Sequence, residues 1–126
     1  MALHLEIRLL DGRFALALLP RGSAIPEPAT PPFTAVVHSA EGISVVCREG
    51  AVAGAAKSRN GFRCFEVAGQ FDLEAVGVVA AVARPLAEAS VSLFVYSTWQ
   101  TDYVLVQEND LDIALAALRQ AGHRVA

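Results

Sequence analysis

The order of apolar periodicities in the second half of the chain restricts its fold more than any other feature. From Phe62 to Val67 the pattern is that of a strand. After the turn Gly69-Gln70-Phe71-Asp72 it becomes helical over Leu73–Ala89, with Leu73, Val76, Ala80, Ala83 and Ala87 on one face and Val79, Val82 and Leu86 beside it. Strands Val91–Ser97 and Tyr103–Gln107 follow, then a helix over Asp110–Ala121 and a short last strand, His123–Val125. The caps agree with these bounds. Asp72 stands where its carboxylate can accept a bond from first-turn amides. Asn109 opens the last helix, Asp112 favours its positive end, and Gly122 closes it in a left-handed conformation. Pro85 lacks the amide that would bond to Ala81, which predicts a kink in the last turn of the first helix.

Strand, helix, strand, strand, helix, strand is the split β-α-β plan, the ferredoxin-like arrangement. The first 61 residues read as a strand-rich partial copy. Leu3, Leu5, Ile7 and Leu9 alternate with polar residues, Asp11-Gly12 makes a tight turn, and Phe14–Leu19 returns, which predicts a hairpin. Five of the six prolines fall between Pro20 and Pro32, an extended loop. Phe33–Val37 and Ile43–Cys47 flank Ser39-Ala40-Glu41-Gly42 and predict a second hairpin. Residues 48–61 read as a loop with at most one short helix, ending in a turn at Arg59-Asn60-Gly61. The expectation is an α+β protein of two units, residues 1–61 and 62–126, the first degenerate.

Two strands joined by a crossover helix in one sheet run parallel, so both end at the same edge. The segments Ala68–Asp72 and Ser97–Asp102 therefore share one rim, facing a helix N-terminus. Free amides there suit a carboxylate. Asp72 or Asp102 can balance an ammonium group, Ser97, Thr98 and Thr101 supply neutral donors and acceptors, and Trp99 supplies an apolar wall. Together they suit a zwitterion such as a free amino acid. Each residue also has a plainer role open to it: Thr98 and Thr101 in a hairpin, Asp102 as a turn former, Trp99 as a cover for the core.

Other chemistries find little support. Net charge is −3, and the ten basic residues form no run, so the field that holds nucleic acid is missing. No stretch reaches the about 18 apolar residues of a membrane span. The N-terminus alternates like a strand instead of following the plan of a signal peptide, which points to the cytoplasm. Cys47 and Cys64 form no CxxC and read as core residues. His4, His38 and His123 lie far apart, and no metal-ligand or nucleotide-loop spacing occurs, so neither an enzyme nor a cofactor or metal is expected. Hydrophobic residues make up 54% and charged ones 18%, an apolar balance that suggests surface covered by a second subunit, a homodimer.

The segments GFRCFEVAG, FDLEAVGVVAAVARPLAEASVSLFVYSTWQTDYVLVQENDLDIALAALRQAGH and ISVVCREG resemble the small ACT-domain proteins related to the CASTOR amino-acid sensors. The likeness is strongest over residues 61–123. It implies two ACT-like units packed side by side, with a small amino acid at an interface between units. Carried over by motif, it points to Gly69, Gln70, Phe71 and Asp72, to Thr98, Thr101 and Asp102, and to Ser44 and Val45. There are departures too. Gly69-Gln70-Phe71-Asp72 stands where the family has Gly-Pro-Leu-Asp, Val76 replaces a hydroxyl before Gly77, and Trp99 is bulkier than the usual ring. The competing expectation is an ACT-like assembly module that binds no ligand.

Overall fold

A computed structural model of the chain describes residues 3–24, 33–52, 54–68 and 75–126. Contacts divide it into two compact units, Met1–Asp11 with Arg63–Ala126, and Gly12–Phe62. The strands are β1 (Glu6–Leu9), β2 (Phe14–Leu19), β3 (Ala35–Ser39), β4 (Gly42–Arg48), β5 (Lys57–Val67), β6 (Leu93–Ser97), β7 (Asp102–Gln107) and β8 (Arg124–Val125). Helix α1 (Val78–Glu88) precedes β6, and α2 (Leu111–Gln120) follows a 3-10 turn, Glu108–Asp110, after β7.

In the C-terminal unit β7 pairs with β5 and with β6, while β1 pairs with β5 and with β8. The β1–β5 ladder is antiparallel, with Ile7 opposite Val67 and Leu9 opposite Phe65. The β1–β8 ladder is parallel, with Ile7 opposite Val125. The N-terminal strand thus lies between the first and last strands of the six-element set. Helices cover one face of this mixed sheet, where Phe65, Val67, Val104 and Val106 pack with Val82, Leu86, Ala114 and Leu118. The order is that of a ferredoxin-type fold.

Several local expectations change. β1 takes β5 and β8 as partners and β2 takes β4 and β5, so the Asp11-Gly12 turn closes no β1–β2 hairpin. α1 starts at Val78, not at Leu73, because Gly77 at the cap position is left-handed (φ 91°) and ends the helical backbone there. Its buried stripe is Val78, Val82 and Leu86, and the face expected from Val76 and Ala80 is exposed. Leu73 and Asp72 lie outside the described residues, and the cap of α1 is Gly77. Asp110, not Asn109, stands at the cap of α2, one residue along. Gly122 is left-handed as expected (φ 97°), and the amides of Gly122 and His123 bond back to Arg119 and Leu118. That double closure is a Schellman cap.

In the N-terminal unit the sheet order is β3-β4-β2-β5. The expected β3–β4 hairpin is present, closed at Ser39 and Gly42. Leu19, Ile43, Val45 and Cys47 form a core patch, and Phe14 is fully buried beneath the Arg48 guanidinium, 5.6 Å from its ring centroid. β5 starts at Lys57, so Arg59-Asn60-Gly61 is part of a strand and not a turn. The turn chemistry serves a bulge: the register against β2 shifts between Phe14 and Leu16, and Gly61 takes φ 85°. Of the proline-rich loop, residues 25–32 lie outside the described residues.

Candidate functional site

The β6–β7 connection is a turn built by one hydroxyl. Thr98 Oγ1 accepts bonds from the amides of Gln100 (3.2 Å) and Thr101 (3.1 Å) and donates to the Thr101 carbonyl (3.1 Å). The Thr98 amide donates to the same carbonyl at 2.8 Å. Four contacts commit Thr98 to shape rather than leaving its hydroxyl free for a ligand. Thr101 Oγ1 donates to the carbonyl of Val67, the last residue of β5. This bond ties the turn to the end of β5, so the two share a rim, as strand direction requires.

Beside the turn stands the N-terminus of α1. Gly77, Val78, Val79 and Ala80 line a cleft of about 350 Å³ together with Ser97, Thr98, Trp99, Thr101 and Asp102. Among the described residues no side chain caps α1 and its first turn holds no acid, so the amides before Ala81 retain their positive end. Ser97 Oγ donates to Asp102 Oδ1 at 2.5 Å, which fixes the carboxylate and leaves Oδ2 as an acceptor. One end of the cleft is therefore electropositive and the other electronegative. Trp99 forms an apolar rim, 78% exposed.

The structure brings Thr98, Thr101 and Asp102 to one cleft. Gly69, Gln70, Phe71 and Asp72 lie outside the described residues. Ser44 and Val45 lie on β4 in the N-terminal unit, between β2 and β3, and pair with a strand on each side. The sequence reading missed Val78 and Val79 as lining residues, because it placed them inside a helix already under way. The signal that marks them is Gly77, the residue at which a helix can start from a left-handed backbone.

Among the described residues no group of three or more His, Cys, Asp or Glu side chains is arranged to hold a metal ion. Cys47 and Cys64 are buried free thiols, and burial pushes both upward from the usual thiol range, Cys64 to about 12. Tyr103, in the Thr-Asp-Tyr motif, donates to Glu66 Oε2 at 3.0 Å, and Arg8 meets Glu66 Oε1 at 2.9 Å. This trio braces β7, β5 and β1 on residues outside the cleft.

The ACT domain family profile matches residues 57–120, just over half of the chain. The chain belongs to the ACT domain family. ACT domains are regulatory. A 43-residue segment is 44% identical to the human cytosolic arginine sensor for mTORC1 subunit 1, which covers 34% of this chain and 13% of the sensor. The chain therefore corresponds to a small part of that relative's length. A crystal structure of a protein from Agrobacterium tumefaciens superimposes with TM-score 0.90 at 29% identity, over 99% of this chain and 94% of that one. The ligand-free regulatory subunit of aspartate kinase from Thermus thermophilus matches with TM-score 0.64 at 11% identity, over 91% and 95% of the two chains. At that identity the likeness is one of fold. Among the described residues no helix is long and apolar enough to cross a membrane.

Proposed function

We propose that this ACT protein is a non-catalytic regulatory module that binds a small amino acid, as a cytoplasmic homodimer of chains each holding two ACT-like units, with residues 1–61 the degenerate one. The observation that carries the reading is the polarity of the cleft. A helix N-terminus with no side-chain cap among the described residues lines the same cleft as the Asp102 carboxylate, which suits the carboxylate and ammonium of one zwitterion. Thr101 holds the rim, and Gly69, Gln70, Phe71 and Asp72 are candidate ligand-binding residues on the family resemblance. Ser44 and Val45 are further candidate ligand-binding residues, on the family resemblance alone. Arginine, in the name of the human relative, is the first compound to titrate.

Isothermal titration with each amino acid tests the claim. One or a few should bind, and Asp102→Ala should weaken that binding by about tenfold or more, the loss of a charge-assisted hydrogen bond. Asp102→Ala with unchanged affinity removes the site from this cleft. A second reading, an assembly module that takes no ligand, draws on the exposure of Val76 (90%) and Trp99 (78%), side chains suited to a protein partner.

A further inference from the structure

A second groove, of about 480 Å³, adjoins the first. The two share Gly77 and Ala80 in their walls. Its floor is apolar, from Leu3, Ala81, Pro85 and Ala121, and its wall on α1 carries Arg84 and Glu88, one helical turn apart. Eight large apolar side chains are exposed among the described residues, and four of them, Leu3, Val76, Val79 and Trp99, border these two grooves. Such clustering marks an interaction face more than scattered exposure does.

We propose that the groove on α1 receives Trp99 of a second copy of this chain, and that the exchange is mutual. This deepens the homodimer of the proposed function and rests on it. Three features select a second copy over another occupant. Knob and hole lie on neighbouring parts of one unit, which is what a two-fold interface needs, since the same patch must serve on both subunits. The chemistry also matches: the Glu88 carboxylate accepts from an indole N–H, and the Arg84 guanidinium covers a ring face. Last, Trp99 has no ring contact of its own among the described residues, and a tryptophan seated in a groove is the side chain that most often dominates an interface. In this arrangement Val76 meets the partner, and the amino-acid cleft is covered by the second copy.

Trp99 is the sole tryptophan of the chain, so its fluorescence reads its surroundings directly. The full-length chain is diluted through its dimer range while sedimentation velocity and acrylamide quenching are recorded together. Dimer formation should shift the emission to the blue and protect Trp99 from quencher over the same concentrations. Val76→Asp, at a position 90% exposed and so free of the fold, should weaken the dimer about tenfold or more. Ile113→Asp, exposed on α2 away from both grooves, should leave it unchanged. A dimer in which Trp99 stays fully quenchable overturns the docking and leaves the homodimer standing. A monomer at every concentration overturns both, and amino-acid binding is read separately by titration.

Discussion

His123 takes the place of the amide that Pro85 lacks. Pro85 leaves the Ala81 carbonyl without its helical donor, and His123 Nε2 meets that carbonyl at 2.8 Å. The other ring nitrogen, Nδ1, accepts the Leu5 amide at 3.1 Å, which makes Nε2 the donor of a neutral ring. One imidazole, 5% exposed, thus joins α1, the turn after α2 and the approach to β1.

His123→Ala should cost about 2–4 kcal/mol, because it leaves a carbonyl and an amide buried without partners. Pro85→Ala restores a donor to Ala81, so the double variant should be more stable than the sum of the two single changes. Urea denaturation of all four proteins measures that coupling. Strict additivity contradicts the shared carbonyl.

Alkaline pH should weaken the fold. Burial, then the nearby Glu66 carboxylate, raises Cys64 from 9.0 to about 12, against a backbone hydrogen bond at Val104 that lowers it. Burial, the hydrogen bond to Glu66 and the charge of Glu66 raise Tyr103 from 10.0 to about 12. Both groups hold their protons more tightly in the folded chain than in the unfolded one. Their contribution is complete below about pH 9 and is lost as the pH rises towards about 12. The urea midpoint should fall between about pH 8 and about pH 10, and Cys64→Ala should flatten that fall. A level midpoint across this range contradicts the assignment.

Gly77→Ala should destabilise by about 1–2 kcal/mol, the cost of holding an L-residue in the left-handed region. Among the described residues the added Cβ meets only Leu3 Cδ1, at an ordinary 3.7 Å, so the penalty is conformational and not steric. Amino-acid affinity should fall as well, since the first-turn amides of α1 take their direction from this residue. A variant of unchanged midpoint and affinity contradicts its role.

Much of this was legible in the sequence, and the exceptions have physical reasons. The six elements from β5 to β8, the β3–β4 hairpin and the Gly122 cap follow from period and turn chemistry. The shared rim follows from strand direction, and the Thr101–Val67 bond expresses it. Alternation at Leu5, Ile7 and Leu9 reveals which face is buried but not which strand lies alongside, so the partners of β1 were hidden. Arg59-Asn60-Gly61 carries turn residues because a bulge needs the same left-handed glycine. Helical period before Gly77 reflected residues such as Val76, which is 90% exposed and packs no core. At the site, Thr98 and Thr101 lie on the rim of the cleft, where residue type pointed. Residue type did not distinguish hydroxyls spent on the turn from one open to a ligand.

The most direct test is a thermal-melt screen of the full chain against the twenty amino acids, with nucleotides as controls. A ligand at about a hundred times its dissociation constant adds roughly 2.7 kcal/mol, a shift of several degrees at this size. The account predicts that one or a few amino acids raise the midpoint and that Asp102→Ala cuts the rise by about half or more. A flat screen at millimolar concentrations contradicts amino-acid binding by this chain.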